Sequence, residues 1–226
     1  ILVENSEGLK ISGTGEKHRE AFSGFELQKR HSFTGPAFRA DILSLPRDRR
    51  VYADIFGHYI FSEDLLTAHF TVGLDVKESF LTSIRLRIPE GYRIRAVDAE
   101  GISDHHLQEN NILVLPFRHA LRGKYRFSLV LDKELPGFAA PTMEGIELLD
   151  MQGIKGQCLV LFPRGFDVRQ ANISHIQPIN IKAVSSRLGQ VDETRFGAKY
   201  AYRFKEEPFE ANYEVSREKP SLDVVK

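Results

Sequence analysis

The stretch LTAHFTVGLDV, residues 66–76, decides the fold of this 226-residue chain. Apolar side chains occupy every even position, while threonine, histidine, glycine and aspartate fall at the odd positions. A β-strand points successive side chains to opposite faces. The pattern therefore predicts a strand with one buried face and one solvated face.

Alternation of the same kind continues along the chain. Residues 84–88 alternate apolar side chains with arginine, a Pro-Glu-Gly turn follows at residues 89–91, and residues 92–96 alternate again. These two segments predict one hairpin. Residues 198–204 and 209–215 predict a second hairpin across a proline-containing turn.

Strand patterns separated by short turns predict an all-β chain, mostly an antiparallel β-sandwich, with a large two-sheet supersandwich as one form of it. The continuous apolar run Leu159–Phe162 predicts a central strand that is covered on both faces. Little helix is expected, because the best candidate, residues 183–188, amounts to a turn or two.

Composition excludes several classes of function. Lys plus Arg and Asp plus Glu both number 31, so no global field would recruit nucleic acid. No apolar run approaches the roughly 20 residues of a membrane span. No phosphate loop, dinucleotide fingerprint or zinc-peptidase motif occurs, so no cofactor is expected.

Cys158, the single cysteine, lies in an apolar run and is expected to be a buried, inert thiol.

A phrase near the start of the chain recurs 171 positions later. The matched residues are Phe25, Phe33, Phe38 and Ala40, and then Phe196, Phe204, Phe209 and Ala211. This spacing predicts a window cut from a tandem array. Residues 1–48 would be the last strands of an adjoining unit, residues 49–218 the main sandwich and residues 219–226 the start of a following unit or linker. The alternative is two similar edge hairpins of one domain.

Four arginines form the most suggestive surface feature, because they share the wet face of the first predicted hairpin: Arg85, Arg87, Arg93 and Arg95. Like charges on neighbouring strands repel by about 0.2–1 kcal/mol per pair, so something must compensate them. An anionic ligand such as an acidic glycan would do so, and so would acidic residues of the same chain.

The densest group of metal-ligand residue types is Asp104, His105 and His106. Imidazole and carboxylate suit zinc or nickel, but consecutive strand residues point in opposite directions. The alternative is a solvated hairpin tip, since the spacing matches no standard metal motif.

Two segments carry a resemblance to a known class of protein. LRIPEG at residues 86–91 and YRFKEEPF at residues 202–209 resemble phrases in tandem β-sandwich units of large bacterial cell-envelope proteins of uncharacterised function. The resemblance covers about two thirds of the chain and includes no catalytic residue. It implies an exported scaffold or adhesion-type domain, extracytoplasmic, whose partners are neighbouring domains of the same polypeptide, a glycan or another envelope protein.

The function predicted from the sequence is a non-enzymatic structural or ligand-presenting module. The alternatives are a carbohydrate-binding accessory module and, third, a carbohydrate-active enzyme of sandwich fold. Facing carboxylates or a histidine–acid pair in a cleft would favour the enzyme. Exposed aromatic platforms would favour glycan binding, although the chain has no tryptophan.

Overall fold

The computed structural model describes residues 50–138, 141–187 and 191–218, except for the side chains of residues 78 and 79, and the backbone of four short strands before residue 50. The chain divides into two compact units, Ile1–Arg47 and Asp48–Lys226. The sequence predicts this boundary between residues 48 and 49.

Three residues of the predicted repeat, Phe25, Phe38 and Ala40, lie outside the described residues, as does the predicted following unit at residues 219–226. The tandem array stays a prediction.

The first unit contains two small antiparallel ladders. Strand β1 (Leu2–Val3) pairs with β4 (Ile42–Leu43), and β2 (Leu9–Ser12) pairs with β3 (Arg30–Phe33).

The second unit is built almost entirely from strands. In chain order they are β5 (Arg50–Phe61), β6 (Leu65–Arg87), β7 (Tyr92–Asp98), β8 (His106–Gln108), β9 (Ile112–Glu134), β10 (Thr142–Glu144), β11 (Glu147–Leu148), β12 (Gly153–Pro163), β13 (Phe166–Ser174), β14 (Ile176–Pro178), β15 (Phe196–Phe204) and β16 (Glu210–Arg217). The described helical segments are single 3-10 turns at Glu109–Asn111, Ile181–Ala183 and Ser185–Arg187. The predicted all-β class with little helix is confirmed.

The strands form a large and a small sheet. The large sheet has the order β14-β15-β12-β5-β6-β9-β7, with β8 paired to β9 and β11 paired to β6, and the small sheet has the order β10-β16-β13. Every described ladder is antiparallel except that between β12 and β5. One apolar core takes side chains from both sheets, including Phe70 and Phe162 from the large sheet and Met143 and Tyr213 from the small one. The second unit is therefore a mostly antiparallel sandwich.

The first predicted hairpin is wrong. Strands β6 and β7 do not pair with each other, because both pair with β9. Arg85 lies opposite Val114 near the start of β9, whereas Arg93 lies opposite Asp132 near its end. The physical reason is that β5, β9 and β11 already occupy the edges of β6, which leaves no free edge for β7.

The second predicted hairpin is also wrong, because β15 belongs to the large sheet and β16 to the small one. The two strands meet through their side chains: the Phe204 and Phe209 ring centroids lie 4.3 Å apart, and the Tyr213 hydroxyl donates to the Tyr202 hydroxyl at 3.3 Å. Their apolar faces thus pack against each other across the core, which buries more aromatic surface than edge pairing would.

Strand β12 is central, as its apolar run predicted. It lies between β15 and β5, and residues 158–162 are at most 2% exposed. Burial raises the pKa of the Cys158 thiol, which agrees with an inert buried cysteine. Gly156 lies inside this strand at a position that requires glycine, because a Cβ there would overlap the Phe204 ring and lie 2.6 Å from the Ile55 carbonyl oxygen.

Candidate functional site on the outer face of the large sheet

All four sequence-predicted arginines have acidic partners within the chain. Arg85 Nη2 lies 2.5 Å from Asp150 Oδ2, Arg87 pairs with Glu147, Arg93 Nη1 lies 3.0 Å from Glu134 Oε1, and Arg95 Nη1 lies 3.8 Å from Asp132 Oδ2. Intrachain pairing, the alternative to an anionic ligand, is present at each of them. The arginines also lie along two different strands, β6 and β7. Binding of an anion by these four residues stays a prediction.

The histidine-rich segment is exposed and does not converge. Asp104 Oδ1 accepts a hydrogen bond from the His105 backbone N–H at 2.7 Å, and the His106 ring contacts the Gln108 amide at 3.4 Å. Within residues 50–138, 141–187 and 191–218, no three His, Cys, Asp or Glu side chains are grouped so that they could hold a metal ion.

A more distinctive site lies on the outer face of the large sheet, the face turned away from the small sheet. Part of that face is covered by an apolar cluster that includes Phe56, Leu159, Leu161 and Val184. Three partly buried side chains from the described residues between β14 and β15 pack against this cluster, namely Ile179, Ile181 and Val191. The chain between β14 and β15 therefore shields one part of the outer face from water.

The uncovered part of the outer face carries three adjoining clefts of about 450, 540 and 270 Å³. Asp54 lines all three clefts, and each of three cations lines two of them: Arg126, Lys155 and Arg187. We call this surface the basic trough, because its charged lining comprises six cations and two acids: Lys124, Arg126, Lys155, Arg187, Arg203 and Lys205, with Asp54 and Asp75.

Strand register explains how the basic trough assembles. Lys155 lies opposite Asp54 in the parallel ladder, Asp54 lies opposite Gly73, and Gly73 lies opposite Arg126. These four residues form one row across β12, β5, β6 and β9. Gly73 has no side chain, so it forms the floor of a depression between the charged side chains of Asp54 and Arg126. Sequence reasoning missed the basic trough because its cations come from segments far apart in the chain.

Two stacked imidazoles also lie on the outer face of the large sheet. His58 and His69 are directly opposite each other on β5 and β6, with ring centroids 4.5 Å apart and planes 8° from parallel. Burial, and then the charge of His69, lowers the pKa of His58 to about 4. Burial and the nearby Arg95 lower the pKa of His69, against the opposing effect of Asp132. The sequence predicted His69 on the solvated face of its strand and gave no sign of its pairing with His58.

The His58 pKa predicts a pH-dependent loss of stability. The folded state prefers neutral His58, so its contribution is intact above pH 6.5 and is lost as the pH falls from 6.5 toward 4. The full pKa shift of His58 corresponds to about 3 kcal/mol in the free energy of unfolding. A His58→Phe variant, which keeps an aromatic ring on His69, should lack this contribution, so its stability relative to the wild-type chain should be higher at pH 4.5 than at pH 7.5 in urea unfolding. An unchanged pH dependence in the variant would contradict the assignment.

A separate cleft of about 370 Å³ is lined by acidic residues and a histidine, the residue types that an enzymatic function would require. Its ionisable groups have internal partners. Lys133 Nζ lies 2.5 Å from Glu144 Oε2, Glu147 pairs with Arg87, and the His175 Nδ1–H donates to the Pro208 carbonyl oxygen at 2.7 Å.

Comparisons with known proteins leave the function open. No family model matches the chain, and no curated protein matches it. Among solved structures, the M1 zinc metallopeptidase from Deinococcus radiodurans matches at 13% identity with a TM-score of 0.44, over 74% of this chain and 42% of that one. A variant of that enzyme bound to a Tyr-Ser-Ala substrate matches at 14% identity with a TM-score of 0.45, over 74% and 43%. This chain therefore spans less than half the length of those structures, and the likeness carries no argument about function. No described helix is long and apolar enough to cross a membrane.

Proposed function

We propose that this chain is a non-enzymatic structural or ligand-presenting β-sandwich module of a larger protein. One observation carries the proposal: in the cleft with enzyme-like residue types, the ionisable groups are tied to partners of the same chain. Glu147 and Arg87 form an ion pair, and His175 is held by the Pro208 carbonyl oxygen. A general acid or base must instead reach the proton of a substrate.

The distribution of aromatic residues also supports a structural role. Phe61, Phe162, Tyr202 and Tyr213 are all at most 2% exposed and contribute to the core shared by both sheets. Their contribution is to hold the sandwich together rather than to present a surface. That the parent protein is exported, as the resemblance implies, stays a prediction.

Enzymatic assays of the 226-residue chain test the proposal. Peptide, ester and glycoside substrates should show no turnover above that of a Glu147→Gln/His175→Gln double variant. Turnover by the wild-type chain that the double variant loses would overturn the non-enzymatic assignment.

A further inference from the structure

The basic trough contains charges that no acidic residue in the described part of the chain neutralises. Lys124, Arg126, Arg187 and Lys205 are exposed, and none of them has an acidic partner among the described residues. The four sequence-predicted arginines are all paired, and the chain as a whole has a net charge of zero. The basic trough therefore carries a local excess of positive charge in a chain that is neutral as a whole. An anion bound there would offset the repulsion among its cations.

The dimensions of the basic trough suit an extended ligand. From Lys155 on β12 to Arg126 on β9 is three strand spacings, which is about 14 Å at about 4.8 Å each. Between them, the floor at Gly73 is open: a Cβ built there would contact only the Asp54 carbonyl oxygen at 3.7 Å. A chain of several small units can lie across this row.

The other side chains of the basic trough favour sugar over nucleic acid. Asp54 and Asp75 lie among the cations, and their carboxylate oxygens accept hydrogen bonds from hydroxyl groups, which a sugar chain has on every unit and a DNA backbone lacks. Base stacking needs free aromatic faces. Here the Arg187 guanidinium lies 5.8 Å from the centroid of the buried Phe56 ring, and Lys77 Nζ lies 5.4 Å from that of Tyr52.

We propose that the basic trough binds an acidic oligosaccharide that bears carboxylate groups, such as a uronate chain. Arg126 and Arg187 line the same cleft as Asp54 and bind the carboxylates, since guanidinium groups pair with carboxylates bidentately. Asp54 accepts hydrogen bonds from the hydroxyl groups, and the Gln157 amide can donate to them or accept from them. Recognition by charge does not need the exposed tryptophan platforms that neutral sugars favour. This inference rests on the proposed ligand-presenting role and names its ligand class.

Calorimetric titration of the 226-residue chain with oligogalacturonate, at low salt, tests the inference. The wild-type chain should bind, and the affinity should fall as salt screens the charges. The Arg126→Gln/Arg187→Gln variant should bind at least tenfold more weakly. The matched control, Arg85→Gln/Arg93→Gln, removes two paired arginines outside the basic trough and should change the affinity less than twofold. A Gly73→Leu variant, which fills the floor without removing charge, should also weaken binding, with circular dichroism checking that each variant is folded.

The probes distinguish the other outcomes. Methyl-esterified oligogalacturonate, which lacks the charges, should not bind, and single-stranded DNA should bind more weakly than oligogalacturonate. No binding by the wild-type chain, equal binding of the esterified probe, stronger binding of DNA, or full binding by the Arg126→Gln/Arg187→Gln variant would overturn the inference and leave the non-enzymatic proposal standing. Cleavage of the bound probe would instead overturn the non-enzymatic proposal and leave the binding site standing.

Discussion

Replacing Phe162 by alanine is expected to lower the free energy of unfolding by about 3–5 kcal/mol, the usual cost of removing a buried phenylalanine. Phe162 is fully buried and stacks on Phe61 at a centroid distance of 4.5 Å. Its ring also meets Tyr213 of the small sheet edge-on at 5.4 Å. The substitution would therefore open a cavity where the two sheets meet. Since small domains are stable by only about 5–15 kcal/mol, this is a large fraction of the total.

Urea unfolding followed by circular dichroism measures this effect. Phe80, which is 43% exposed on β6, provides the matched control, because Phe80→Ala should change the stability by less than about 1 kcal/mol. If Phe162→Ala does not fold, Phe162→Leu keeps part of the volume and should lose about 1.5 kcal/mol or less. A loss below about 1 kcal/mol in Phe162→Ala would show that the aromatic cluster does not hold the two sheets together.

The charge on Glu207 is expected to destabilise the folded chain at neutral and alkaline pH. The pKa of Glu207 is raised to about 7, chiefly by burial; the hydrogen bond from the Leu148 N–H to Oε2 at 2.8 Å opposes the rise, and the charge of Glu147 adds to it. Its other oxygen, Oε1, is buried without a hydrogen-bond partner in the described part of the chain. A buried carboxylate with an unpartnered oxygen is costly, so the protonated form is preferred.

A Glu207→Gln variant should therefore be more stable than the wild-type chain at pH 8, by up to about 3 kcal/mol. Because the folded pKa lies above the unfolded value of 4.5, the stabilising contribution of Glu207 is complete below pH 4.5 and is lost as the pH rises through about 7. The variant and the wild-type chain should thus agree below pH 4.5. The neighbouring exposed residue offers a control, since Glu206→Gln should have little effect at either pH. Equal stability of Glu207→Gln and the wild-type chain at pH 8 would contradict the prediction.

The Glu207 and His58 contributions have opposite signs over nearly the same pH range. As the pH rises from 4.5 to 6.5, the folded chain loses the contribution of Glu207 and gains that of His58. The wild-type stability should therefore change little across this range. Glu207→Gln should expose the rise due to His58, and His58→Phe should expose the fall due to Glu207.

The elements that could be predicted from the sequence are those whose signal is local. Alternation over residues 66–76 and the apolar run at Leu159–Phe162 identified strands β6 and β12. The spacing of apolar residues within a strand shows which of its faces are buried, so no distant residue is needed for this prediction. Strand pairing was not local. The sequence suggested hairpins between β6 and β7 and between β15 and β16, but β7 pairs with β9, and β16 lies in the other sheet.

The candidate site likewise has features that the sequence predicts and features that depend on contacts between distant residues. The sequence identified Arg85, Arg87, Arg93 and Arg95 as charged and exposed, but whether a charge is neutralised depends on partners such as Asp132 and Asp150, and only the tertiary structure places them. The basic trough depends on tertiary structure completely, because the register of four strands brings its cations onto one face. By itself, the sequence determined the all-β class, the buried faces and the inert thiol, since each follows from side chains a few residues apart. The tertiary structure decided the pairing, the free charges and the stacked histidines, since each depends on contacts between residues distant in the chain.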